Sequence, residues 1–97
     1  MNNRGESNDI SNRLFNFSVS VLKMLRNIPN RREFDVIRYQ LSKSATSMGA
    51  NHEESQATIK KEFPVKIRIS LREALESKDW LRIVSALNLI PGNIIEE

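Results

Sequence analysis

A chain of 97 residues has room for one domain with a modest core. It has no cysteine, which excludes disulfides, thiolate zinc sites and thiol catalysis, and its three glycines and three prolines are too few for a loop-rich or all-β fold. The formal net charge of +3 is compatible with ordinary solubility or with an anionic partner such as nucleic acid.

Residues 1–8 are polar and predict a disordered tail, followed by one helical-bundle domain over 9–97. The N-terminus has no apolar core of a signal peptide, and no apolar run approaches the roughly 20 residues that span a bilayer. No membrane partner is expected, and the cysteine-free composition fits a cytoplasmic location. Ile10, Leu14, Phe17, Val21, Leu25 and Ile28 recur every three or four residues and predict helix 1 over about 10–28. Asp9 is its candidate N-cap and Pro29 ends it.

Asn30 and Glu33 have the spacing of a capping box, so helix 2 is expected over about 31–55. Phe34, Ile37, Leu41, Ala45 and Met48 carry its apolar stripe, which His52 shares. Gly49 inside a helix costs about 1 kcal/mol against alanine, which implies a packing reason for it. A connector over 56–61 leads to helix 3, over about 62–89, with Pro64 in the first turn or at a kink. Its stripe is Ile67, Ser70, Leu71, Ala74, Ser77, Leu81, Val84 and Leu87, and "IPGN" stops it. The final "IIEE" is too short for a stable helix alone. Short connectors imply antiparallel neighbours, so the fold class is all-α, an up-and-down bundle.

The stretch "QLSKSATSMGANHEES", residues 40–55, is crowded with small residues. It contains no phosphate loop, no dinucleotide-binding glycine pattern and no nucleophile elbow. His52 lies two helical turns from Ser44, too far to serve as its base. His52–Glu53 opens a zinc-protease motif, but position 56 is Gln and the chain has one histidine, so no metal site is expected. The better reading is close helix packing, in which Ser44, Ala45, Met48 and Gly49 meet Ser70, Ala74 and Ser77 of helix 3. No catalytic residue, cofactor or small-molecule substrate is expected. Asn51, Glu54 and Glu73 are either solvated or form a register-fixing cluster between helices, with Arg38, Lys43 or Arg72 as counter-charges.

Charge is unevenly spread. Residues 60–72 carry Lys60, Lys61, Lys66, Arg68 and Arg72 against Glu62 alone, whereas residues 31–57 sum to zero. These five are candidate phosphate contacts, with Arg31, Arg32 and Arg38 as a second patch. Tyr39 and Trp80 are isolated, so there is no aromatic platform for single-stranded bases, and binding would be backbone-directed and salt-sensitive.

The small-residue stretch resembles the signature of the bacterial four-helix-bundle family also known as the 23S rRNA intervening-sequence protein or S23 ribosomal protein family. That signature reads approximately Q-L-x-R-S-A-x-S-I-G-A-N-x-x-E, and Gln40, Leu41, Ser44, Ala45, Ser47, Gly49, Ala50, Asn51 and Glu54 fit it. A second block, "EFPVKIRISLREALESKDWLRIV", resembles the family's D/E-F-x-x-K-L-x-I-A-x-K-E-A-x-E-x-x-Y-W-L through Phe63, Lys66, Ile69, Glu73, Ala74, Glu76, Trp80 and Leu81. The two blocks together cover about 34–90.

The resemblance implies a left-handed antiparallel four-helix bundle, a homo-oligomer that is typically a ring-shaped pentamer, and no catalytic residues. It also implies kinship with the accessory protein of diversity-generating retroelements, which partners a reverse transcriptase and binds nucleic acid. The family's name records genes lying inside 23S rRNA insertions, which is a location and not an activity. His52 and Pro64 depart from the pattern, and the fourth helix, due to begin near residue 93, is expected to be short or missing, leaving an apolar groove. The expected function is a non-enzymatic oligomer that binds structured RNA, a ribonucleoprotein or a nucleic-acid enzyme through a basic rim. The alternative is an interaction scaffold that docks a partner in the apolar groove without nucleic acid.

Overall fold

The computed structural model describes the backbone of residues 2–90 and side chains from Asp9 onward. Three long helices follow one another in up-down-up order, and no strand occurs among the described residues. The first, α1 (Asn2–Leu25), begins well before the expected cap. The helix includes residues 2–8, where the composition predicted a disordered tail. Extending a helix costs far less than starting one, and no proline stands before position 29. Asp9 is therefore not a cap; its carboxylate lies 4.0 Å from Arg13 one turn on. At the other end the ladder tightens after Leu25. Arg26, Asn27 and Ile28 donate to carbonyls three residues back, the usual fraying of a last turn, here ahead of Pro29.

The expected capping box is absent. Arg31 precedes a 3-10 turn at Arg32–Phe34 with no side-chain cap bond, and α2 (Asp35–Ala57) continues from that turn. The N–H of Phe34 finds the Arg31 carbonyl at 3.0 Å, a backbone bond that closes the turn without the side chains of Asn30 and Glu33. Residues 40–55 all lie inside α2: the small-residue stretch is helix, not loop. A second 3-10 turn, Lys60–Glu62, leads into α3 (Phe63–Ala86), where Pro64 sits in the first turn and leaves no hydrogen bond unmade.

Helix α3 stops earlier than "IPGN" suggested. Asn88 adopts φ 54, a left-handed conformation that asparagine tolerates. Its N–H reaches the Ser85 carbonyl, and the N–H of Leu89 reaches that of Val84. This closing turn sends Leu89 and Ile90 back toward the core. The fourth helix expected near residue 93 lies outside the described residues.

Helix α2 is central, packed along both α1 and, more extensively, α3. The apolar core gathers at one end of the bundle. It joins Val21, Met24, Leu25 and Ile28 of the α1 side with Ile37, Leu41 and Ala45 of α2, and Val84 and Ile90 close it. Phe17, Phe34, Trp80 and Leu81 pack around that cluster. At the opposite end the buried groups include His52 and Ser55, while Ile10, Ile67 and Leu71, expected in core stripes, are exposed. Periodicity had marked these faces as apolar, but no element among the described residues covers them.

Candidate interaction surfaces and the helix seam

The seam around residues 40–55 is built from hydroxyls that each return to a helix backbone or to each other. Ser77 Oγ donates to Ser44 Oγ at 2.8 Å, both fully buried between α2 and α3, and Ser44 Oγ donates on to the Leu41 carbonyl. One turn along, Ser70 Oγ donates to the Met48 carbonyl at 2.8 Å. Small residues bring the helices close enough for these bonds. The expected partnership of α2 with α3 is thus seen for Ser44 and Met48. Ala45 and Gly49 turn the other way, toward α1. Ser18 Oγ shares its proton between the Ala45 and Leu14 carbonyls, at 3.0 and 3.1 Å. A methyl group added at Gly49 would meet Leu14 Cβ at 3.6 Å, an ordinary van der Waals contact. The glycine is therefore not required by crowding, contrary to the packing reason its helical cost suggested.

None of this is nucleophile chemistry. Ser55 Oγ donates to the His52 carbonyl at 2.6 Å and not to its imidazole. His52 as a residue is 6% exposed, and its Nδ1 has no hydrogen-bond partner among the described residues. No group of three or more His, Cys, Asp or Glu that could hold a metal occurs among those residues.

The expected polar cluster is taken apart by the geometry. Asn51 Nδ2 donates to the Ser47 carbonyl of its own helix. Glu54 pairs with Lys66 of α3 at 2.6 Å. That hydrogen bond, and then the Glu54 charge, raise the Lys66 ammonium above its ordinary 10.5. Glu73 is half-buried without an ion pair among the described residues, and Trp80 packs against the core.

Two of the eight basic candidates are already engaged. Lys66 bridges α2 and α3 as described. Arg38 Nη2 donates to the Ile28 and Pro29 carbonyls at 2.6 and 2.7 Å, and its Nη1 reaches Asp35 at 3.3 Å. It bonds the Ile28 carbonyl and shares the Pro29 carbonyl with the Arg31 N–H, just past the end of α1, which is stabilising for a helix terminus. Charge alone had grouped it with the phosphate contacts, because a carbonyl partner nine or ten residues away leaves no mark in composition. Lys60, Lys61, Arg68 and Arg72 are exposed and their side chains make no hydrogen bond or ion pair among the described residues, and the same holds for the side chains of Arg31 and Arg32. The two sets are far apart. Arg31 and Arg32 precede α2, Lys60 and Lys61 follow it, and its 23 residues span about 35 Å.

An apolar groove of about 730 Å³ runs between α1 and α3. Ile10, Leu14 and Phe17 form one side, Met48 the floor, and Ala74 and Leu81 the other side. Arg13, Lys78, Arg82 and Ser85 complete its lining. A smaller depression, of about 560 Å³, on the far side of α1 lies beside Phe15, Val19 and Leu22, over Thr46, Gly49 and Ala50 of α2. Sequence reasoning missed the surface around Phe15, since its residues fall off the main stripe; a second period-matched set on one helix was the available signal. No helix among the described residues is long and apolar enough to cross a membrane.

No curated protein and no solved structure matches the chain. The model of one family does, over residues 6–97, and that family is non-catalytic. A small non-enzymatic helical bundle with a serine-lined seam and no catalytic cluster among its described residues agrees with that match, and the chain belongs to the 23S rRNA-intervening sequence protein family.

Proposed function

We propose that this protein is a self-assembling, non-enzymatic bundle that binds structured RNA or a ribonucleoprotein through phosphate contacts. The observation that carries this reading is the set Lys60, Lys61, Arg68 and Arg72: four exposed cations without ion pairs, clustered at and beyond the α2–α3 connector. Cations already bound to carbonyls or carboxylates, as Arg38 and Lys66 are, would lose those partners on meeting a phosphate. Arg31 and Arg32 form a separate patch that adds to the first only when several chains stand side by side. Self-association, with the ring-shaped pentamer as its expected form, is supported by the exposed α1 residues Phe15 and Leu22 beside the small residues Thr46, Gly49 and Ala50. A cytoplasmic location and a nucleic-acid enzyme as client belong to the same proposal.

The test is a titration of the purified protein with a hairpin RNA and a matched DNA duplex at low and high salt. Four phosphate contacts on duplex nucleic acid predict a log–log salt slope of about −3.5 per chain. Lys60→Glu with Lys61→Glu, or Arg68→Glu with Arg72→Glu, is expected to weaken binding more than tenfold with the helical circular dichroism unchanged. Absence of binding at low salt, or indifference to all four reversals, would sink the reading. Light scattering gives the oligomer mass independently.

A further inference from the structure

We infer that the RNA held by Lys60, Lys61, Arg68 and Arg72 carries an unpaired nucleotide, in a bulge or a loop, whose base lies against the exposed aliphatic side chains of Ile59 and Val65. The inference rests on the phosphate-binding reading above and names the class of RNA that this surface selects.

Three observations carry it. The first is what stands among the cations. Ile59 is 58% exposed and Val65 49%, and the two bracket Lys60 and Lys61 in the chain. Val65, Arg68 and Arg72 fall at i, i+3 and i+7, on one strip of α3. Glu62 is the only carboxylate between Lys60 and Arg72, and it pairs with none of the four cations among the described residues. An aliphatic side chain set among phosphate-binding cations gains nothing from a continuous duplex, whose outer surface is phosphate and ribose. The face of an unstacked base is the apolar surface RNA can offer there, and bulges and loops are where RNA presents it. The second is position. Ser70 and Ser77 face α2, and Val65, Arg68 and Arg72 lie about 120–180° around the α3 axis from Ser77. The strip therefore looks away from the bundle, and an element packed on the bundle core does not reach it. Phe63 shares the side of Ser70 and Ser77 and is not part of the strip. The backbone that presents Ile59 is already ordered: it is extended, at φ −71 and ψ 159, and the Ile59 carbonyl accepts from the Glu62 N–H at 2.9 Å. Order present before binding lowers the entropic cost of the contact.

The third is reach, which selects the occupant. Lysines beside exposed aliphatic residues on a turn also suit an anionic bilayer. Here, however, the cations climb the flank of the helix: Arg72 stands about 14 Å along α3 from Phe63, its first residue. A bilayer meeting the turn would touch Ile59 and the two lysines and leave Arg72 out. A nucleic-acid strand lying along α3 meets all four cations and brings its bases to Ile59 and Val65. Both residues are aliphatic, so the contact is apolar packing on the base rather than ring stacking, in keeping with the isolation of Tyr39 and Trp80.

The experiment titrates the full chain with three RNAs of one stem sequence: a continuous duplex, the same duplex with a single bulged 2-aminopurine, and the same bulge made abasic. The bulged RNA is expected to bind about tenfold more tightly than the duplex, and its 2-aminopurine fluorescence to change on binding. Because the added contact is apolar, that ratio should hold from low to high salt while both affinities fall. The abasic bulge should bind no better than the duplex. Ile59→Ser combined with Val65→Ser, both on exposed side chains, should remove the preference for the bulged base with the melting midpoint unchanged. Equal binding of bulged RNA and duplex, or a preference that survives the abasic bulge or the double variant, overturns the inference and leaves phosphate binding standing. Failure of all three RNAs to bind removes the phosphate-binding reading itself, and the inference with it. Binding of phosphatidylserine-containing vesicles by the native chain but not by the double variant would assign Ile59 and Val65 to a bilayer. A lower oligomer mass for the double variant would assign them to a second copy. Either result overturns the inference.

Discussion

Where α1 turns into α2 and α3 ends, Leu41, Ala45 and Val84 are fully enclosed by Val21, Leu25, Ile37 and the returning Ile90. Where α2 turns into α3, the enclosed groups include His52 and Ser55, and Ile59, Phe63, Ile67 and Leu71 face outward. The same helices thus make a closed, apolar end and an open end that is polar inside and apolar outside. Burial of apolar surface is the main favourable contribution to folding, so the closed end carries most of the stability. The open end carries the free lysines and an uncovered face, which is where a partner gains most by binding.

The sharpest way to break this contrast is a matched pair of truncations. Leu41→Ala at the closed end is expected to cost about 2–5 kcal/mol in chemical denaturation, and Leu71→Ala, on a side chain 60% exposed, less than about 0.5 kcal/mol. Similar losses at the two sites would mean that the open end is covered in solution. Next comes the seam. Ser77→Val puts a bulkier, non-donating group against Ser44 and is expected to lose about 1–3 kcal/mol. Gly49→Ala should act in the opposite direction. The methyl meets only an ordinary contact, so the helix gains up to about 1 kcal/mol, read as a rise in denaturation midpoint. A loss there would show that α1 and α2 lie closer than 3.6 Å allows.

The smallest effect is a pH dependence at the open end. The Lys66 ammonium is raised above 10.5 in the folded protein, chiefly by its hydrogen bond to Glu54. A raised lysine stabilises the fold fully below 10.5, and the contribution disappears as pH climbs through the higher folded value. The stability difference between the native protein and Lys66→Met should therefore shrink at alkaline pH above 10.5. A difference that is constant across that range would remove the bridge from the account.

The helices themselves were legible from spacing alone, because Leu41, Ala45 and Met48 repeat with the period of a buried face. Gly49 was correctly read through rather than as a break. The boundaries were not legible. Asn30 and Glu33 had the right spacing for a cap, yet a 3-10 turn does the work with backbone groups; Asn88, not Pro91, ends α3. Exposure of Ile67 and Leu71 was also hidden, since periodicity marks an apolar face but says nothing about what lies against it. The candidate site was legible as charge and not as availability. Lys60 and Lys66 look alike in sequence, and only the fold brings Glu54 within 2.6 Å of the second.

Arg38 shows what that costs in practice. A charge-reversal scan scored only by loss of RNA binding would return Arg38→Glu beside Lys60→Glu and count both as contacts. The first would fail by a different route. A carboxylate placed against the carbonyls of Ile28 and Pro29 loosens the hinge between α1 and α2. A melting curve taken alongside each titration separates the two classes, since only a true phosphate contact loses affinity at constant midpoint. The scan then becomes a map of which arginines in this family's bundles are masonry and which are doors.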